Sequence, residues 1–245
     1  MLLHLVRSMY PEVPGVFSDT GLEYPEIKAF VKTVDNVIWL KPSKTFVEVV
    51  RQYGYPVISK DVAQKIYQIR HTRSNKLRDK RLYGDDNGNG KLPEKWRWLL
   101  DAPFEISHKC CYHLKKSPFA KYERSSERKA LLGTMAEESS LRQVAYIRNG
   151  GCNAFSLNRP ASSPLAFWTT ADIWEYIHKY GLEYCGIYDK GAERTGCMWC
   201  MFGAHMENEP NRFQRMRVTH PKIHQYCIDK LGLGEVLDYI NVPYA

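Results

Sequence analysis

Four cysteines in two short stretches constrain this chain more than any other feature. Cys110 and Cys111 stand side by side in KCCYHLKKSPF, and Cys197 and Cys200 close a C-x-x-C turn in ERTGCMWCMFG. A C-x-x-C turn aims two thiolates at one point, and a second pair brought in by the fold completes a four-sulfur shell for a structural zinc or an iron–sulfur cluster. Residues 112–196 separate the pairs, so only tertiary structure closes such a site, and compact zinc-finger spacings do not apply. The same spacing also serves a redox dithiol or plain packing, and it leaves zinc and cluster both open.

Seven cysteines in 245 residues, an odd number with no regular ladder, do not form a secreted disulfide framework. Clustered thiols of this kind persist in a reducing solvent, which points to the cytoplasm. The start, MLLHLVRSMYPE, is broken by His4 and Arg7 and offers no export signal, and no run of about 18 apolar residues predicts a membrane span. With 44% hydrophobic residues the chain can build a sizeable core. Its net charge of +8, from 35 Lys and Arg against 27 Asp and Glu, suits a polyanionic partner, a nucleotide phosphate or a nucleic acid.

Periodicity predicts a helix over Leu2–Met9, a buried strand over Val13–Ser18, a helix over Tyr24–Val34 with Pro25 in its first turn, and a strand over Asn36–Leu40. A helix over Thr45–Tyr53 stops at Gly54, and Ser59 caps a further helix that runs through Ile66 and Ile69. Lys129–Gly133 reads as a buried strand, Ala136–Arg148 and Asp172–Tyr180 as helices, the latter capped by Thr169 or Thr170 and ended by Gly181. Beyond the C-x-x-C, Asn211–Arg217, Pro221–Leu231 and Glu235–Ile240 read as helical. This β–α alternation predicts an α/β fold with a doubly wound, mostly parallel sheet and a C-terminal helical, cysteine-bearing part over about 197–245. No repeat or linker divides the chain, so 1–245 reads as a single domain. A basic insertion spans about 70–98, in which Arg70–Arg81 is either a solvated insertion or a mobile arm that closes over phosphates or touches nucleic acid, with Trp96 and Trp98 as stacking surfaces or core.

The stretch LHLVRSMYPEVPGVFSDTGLEYPE resembles the start of the phosphoadenosine phosphosulfate (PAPS) reductase family, where a helix, a strand and a D-T-G-x-x-x-P-E turn follow in this order. GTMAEESSLR, residues 133–142, is similar to that family's G-x-R-x-E-x-S-x-x-R segment, and the likeness continues through Pro164–Ile177 and YDKGAERTG, residues 188–196. The C-C-x-x-x-K arrangement of Cys110, Cys111 and Lys115, paired with a distant C-x-x-C, resembles the iron–sulfur branch, the adenosine phosphosulfate (APS) reductases and phage or mobile-element relatives.

This resemblance implies an adenine nucleotide α-hydrolase-like fold that binds PAPS, APS or ATP at the carboxyl edge of its sheet, and it favours a 4Fe-4S cluster over zinc. Asp19, Thr20, Gly21 and Gly133 then lie by the nucleotide, Arg142 and Arg194 meet phosphate or sulfate oxygens, and Lys115 sets a positive charge between substrate and the cluster held by Cys110, Cys111, Cys197 and Cys200. Sulfonucleotide reduction with a thiol reductant such as thioredoxin, or sulfur transfer, follows as the expected activity. Two other classes remain: an ATP-pyrophosphatase-type sulfurtransferase acting on RNA or DNA, and a non-catalytic nucleotide- and metal-binding protein.

Three departures from the family pattern bear on these expectations. The family's S-G-G-K-D-S-type phosphate loop belongs just before the first helix, inside which this sequence begins, and the expectation is that upstream coding DNA supplies it. Met135 stands where the family usually has arginine. The reductases' nucleophilic cysteine lies in an E-C-G-L-H tail, whereas this sequence ends NVPYA; Cys227, the nearest substitute, reads as an inert helical thiol.

Overall fold

The computed structural model describes residues 1–192 and 195–245. In chain order its elements are α1 (Leu2–Arg7), β1 (Gly15–Ser18), α2 (Pro25–Thr33), β2 (Val37–Leu40), α3 (Phe46–Tyr53), β3 (Val57–Ile58), α4 (Lys60–His71) and α5 (Asn75–Leu82). A 3-10 helix, Glu94–Asp101, and a π-helical turn, Tyr112–Lys116, lead into α6 (Ser117–Ser126), β4 (Ala130–Leu131), α7 (Ser140–Arg148), β5 (Asn153–Ala154), β6 (Ala161–Ser162) and α8 (Thr170–Lys179). Last come β7 (Met201–Phe202), α9 (Arg212–Thr219), α10 (Pro221–Gln225) and α11 (Leu233–Tyr239). Helices alternate with short strands, and parallel pairing joins β3 to β7 and β4 to β6, as expected of an α/β chain. The described strands fall into three small sheets, β1-β2, β3-β7 and β4-β6-β5. The chain forms two compact units interleaved in sequence: residues 1–17, 26–40 and 119–186, and residues 18–25, 41–118 and 187–245.

In the first unit, Arg7 ties the loop after α1 to the start of β2, donating to the carbonyls of Val13 at 3.0 Å and Asp35 at 2.9 Å. Phe17 and Trp39 meet edge to face at 4.9 Å across the β1-β2 pair. Ser139 and Thr169 cap α7 and α8, the latter in a capping box with Asp172, and Gly181 follows α8 at φ 57. The strand expected to be buried over 129–133 is a correction: among the described strands β4 lies at an edge and pairs with β6 alone, and Leu131 and Leu132 stay 44% and 41% exposed.

The second unit holds the larger core, in which Ile66, Leu99, Ile106, Leu114, Phe213 and Leu237 are fully buried. Thr45 and Glu48 form the capping box that starts α3. Gly54 ends it because only glycine fits: its φ is 101, and a Cβ there would lie 2.2 Å from the Glu105 carbonyl. That contact is the price of a short pairing in which Tyr55 N–H donates to Glu105 O at 2.7 Å and Ser107 N–H to Tyr55 O at 3.0 Å. The β3-β7 pair sets Val57 beside Met201, directly after Cys200, and so anchors the C-x-x-C stretch to buried backbone.

The basic stretch is less free than its composition implies. α4 stops at His71, and Ser74 caps the separate helix α5. Arg70 turns inward and donates to the carbonyls of Leu99, Leu100, Ala102 and Phe104 at 2.7–3.2 Å, closing the end of the 3-10 helix. Arg81 donates to Gln68 and to the Gly90 carbonyl, Arg78 to the Thr72 carbonyl, and Lys80 pairs with Asp85. Arg73 and Lys76 remain exposed. Replacing Arg70 by Met leaves those carbonyls unpaired and should cost about 3 kcal/mol in urea unfolding, against less than about 0.5 kcal/mol for Arg73→Met. Equal small losses for both variants would refute this account.

Candidate functional site

Cys110 and Cys111 open a helical stretch that widens at once into the π-helical turn Tyr112–Lys116, a distortion that often marks functional positions. Ser18 fixes this turn by donating its hydroxyl to the buried Leu114 carbonyl at 2.9 Å. The turn presents Lys115 to the second cysteine pair, where its ammonium hydrogen-bonds the Cys197 sulfur. Cys200 receives the Phe202 backbone N–H, and the Arg212 guanidinium binds its carbonyl at 2.8 Å while held by Glu207.

All four cysteines feel one another's charge. Cys110 hydrogen-bonds Cys111, which raises the Cys110 thiol far above its ordinary value and lowers that of Cys111. Charges on Lys60, Lys115 and Lys116 add to the lowering at Cys111. Burial pushes Cys197 up to about 11 and also raises Cys200. Burial opposes the Lys115 charge, but Cys197, Cys111 and Glu23 together carry its pKa upward. Among the described residues, no three His, Cys, Asp or Glu side chains converge on a single metal ion.

The D-T-G turn abuts this site. Thr20 is buried and gives its N–H and hydroxyl to the Glu23 carboxylate at 3.0 and 2.6 Å, while its hydroxyl receives Leu22 N–H at 3.2 Å. Gly21, at φ 75, is exposed at the apex, and its N–H reaches Asp19 at 3.3 Å. The C-x-x-C turn docks here through Met198 N–H on Leu22 O at 2.8 Å. Thus Asp19, Thr20, Gly21, Lys115 and the four cysteines come together in the second unit.

Gly133 and Arg142 belong to the first unit. Gly133 is exposed after β4, and Arg142, on α7, is paired with Glu138. Arg142 lines a cavity of about 340 Å³ together with Met135, Thr134, Cys152 and Arg159. Arg159 is clamped by both Glu123 oxygens at 2.6 Å. Arg194 lies outside the described residues.

The Phosphoadenosine phosphosulfate reductase domain model matches residues 1–202. The chain belongs to the PAPS reductase family. An uncharacterized protein of Methanocaldococcus jannaschii is 25% identical over 93% of this chain, which spans only 43% of that protein. The adenosine 5′-phosphosulfate reductase of Geobacillus thermodenitrificans is 23% identical over 82% of the chain and 67% of its own length, and that of Bacillus velezensis 24% over 92% and 79%. The PAPS reductase of Candida auris, solved with phosphate, covers 80% of this chain and 74% of its own at a TM-score of 0.46 and 15% identity. No helix among the described residues is long and apolar enough to cross a membrane.

Within the family's D-T-G-x-x-x-P-E pattern, Glu23 is the residue that sequence reasoning passed over. It occupies a variable position, and only the fold shows its carboxylate joining Thr20 to the charges on Lys115 and Cys197. Arg212 was likewise invisible, lying outside every motif. Cys227, by contrast, is the inert thiol its helix implied: it is fully buried, and burial, then Asp229, raises its pKa to about 12. Iodoacetamide at pH 8 should therefore leave Cys227 unlabelled in the native protein and label it in urea, as read by peptide mass spectrometry; rapid native labelling would refute the assignment.

Proposed function

We propose that this chain binds an adenine sulfonucleotide, APS or PAPS, and holds a 4Fe-4S cluster on Cys110, Cys111, Cys197 and Cys200, in the service of sulfonucleotide reduction or sulfur transfer. The observation that carries this reading is the junction of three motifs, with Lys115 on Cys197 and Met198 N–H on Leu22 O. The donor set fits the group: four buried or half-buried thiols, with Lys60, Lys115, Lys116 and Arg212 charges bearing on them. Between Cys197 and Cys200, the buried Trp199 indole nitrogen has no partner among the described residues. The two cysteine pairs suit either metal, and it is the resemblance of C-C-x-x-x-K with a distant C-x-x-C to the iron–sulfur branch that favours the cluster over zinc.

When bound by Cys110, Cys111, Cys197 and Cys200, the cluster would supply an anionic, redox-active group. Lys115 contributes the cation that offsets that charge, and Ser18, through the Leu114 carbonyl, keeps the turn carrying it in place. Glu23 holds the D-T-G turn shut on its own hydrogen bonds, leaving the exposed apex at Gly21 for approach of a ligand backbone or ribose. In the first unit, the resemblance gives Arg142, which lines that unit's own cavity, to phosphate or sulfate oxygens. In reduction, a thiolate attacks the sulfonucleotide sulfur and the nucleoside phosphate leaves with the bonding electrons. A second thiol, from a reductant such as thioredoxin, would then attack the divalent, thiol-derived sulfur of the thiosulfonate adduct, and sulfite would leave with the S–S bonding electrons as a disulfide forms. Burial removes Cys227 from the first role.

Anaerobically reconstituted protein should contain about four irons per chain and lose them in Cys197→Ser or Cys200→Ser. One zinc and no iron would replace the cluster with a structural metal. By calorimetry, APS or PAPS should bind, and Lys115→Met should weaken binding about 30-fold, the value of a charge-assisted contact of about 2 kcal/mol. ATP binding with pyrophosphate release, and no sulfonucleotide binding, would instead establish the sulfurtransferase reading.

A further inference from the structure

A second feature of the 41–118 region borders the cysteine cluster and shares the charges of Lys60 and Lys116 with it. Two parallel stacked pairs occur here, Tyr53 with His113 at 4.9 Å and 12°, and Tyr67 with His71 at 4.3 Å and 19°, and Tyr53 bears electrostatically on Tyr67. Tyr67 also meets His108 edge-on at 6.2 Å, and Tyr112, which is 54% exposed, meets His113 at 5.2 Å. The Lys109 ammonium lies 5.5 Å from the Tyr67 ring centroid, and its charge bears on both His108 and His113. Lys60 and Lys116, both exposed, bear on His108 as well, while Lys44 bears on His113. The His108 Nδ1 atom is buried and has no partner among the described residues. The nearby acids are engaged: Glu105 lies against His71 and Arg70, and Asp61 pairs with Lys65.

We infer that this lysine-framed aromatic face binds single-stranded nucleic acid, with Lys60, Lys109 and Lys116 on the phosphates and Tyr112 and the two stacked pairs as platforms for bases. Rings interleaved with cations are what an unpaired strand recognises, because every base has a face to stack and every step carries a phosphate. A duplex hides its base faces and has use only for the lysines. The surface also differs from the one composition singled out, since Arg70, Arg78 and Arg81 are bound within the protein.

The test is fluorescence anisotropy of the full chain with a labelled 20-nucleotide single strand, its duplex and ATP, between 50 and 200 mM salt. Three phosphate contacts give a log–log salt slope of about −2 for the single strand, and Lys60→Gln with Lys116→Gln should make it shallower by about 1.4, while Lys222→Gln with Lys230→Gln, an equal charge change elsewhere, leaves it unaltered. Tyr112→Ala should weaken binding about tenfold without changing the slope, a signature that misfolding or lost charge does not produce. Duplex binding as tight as single-strand binding, an unchanged affinity in Tyr112→Ala, or full displacement by ATP would each overturn the inference. The last would assign the face to a mononucleotide.

Discussion

Burying several ionisable sulfur groups within reach of one another's charge is tolerable only if cations are buried alongside them or the groups stay protonated. This chain does both. Cys110 is held toward the neutral thiol by its hydrogen bond to Cys111 and by burial, Cys197 and Cys200 by burial, while Cys111 is lowered by the Cys110 hydrogen bond and then by Lys60, Lys115 and Lys116. Lys115 stays charged against its own burial because the same sulfurs and Glu23 favour the ammonium. The surrounding structure follows from keeping that cation in position: Ser18 pins the π-helical turn, Leu22 receives the C-x-x-C backbone, and the β3-β7 pair fixes what comes next.

The local elements were legible because their signals are local. Thr45, Ser59, Ser139 and Thr169 are caps with side chains already suited to orphan amides, and Gly54 and Gly181 stop helices with backbones other residues rarely adopt. The motif residues Cys110, Cys111, Lys115, Cys197 and Cys200 were legible for the same reason: each pair's spacing encodes a direction for its sulfurs. What could not be read was long-range. Nothing in Lys129–Gly133 says that its strand will sit at an edge, and nothing in Arg70 distinguishes it from Arg73, although one closes a buried helix end and the other faces solvent.

That contrast bears on how charge should be read in a basic protein. An arginine's five donors in a planar fork make it as good a ligand for backbone carbonyls as for phosphates, so an arginine-rich helix is readily absorbed into the fold. Arg70 and Arg81 are absorbed in this way, and each joins segments many residues apart. Lysine's compact, strongly hydrated ammonium resists such use and tends to stay at the surface on a flexible stem. Net charge alone therefore overstates the arginine stretch and understates lysines such as Lys109, whose ammonium the fold sets 5.5 Å from the Tyr67 ring centroid.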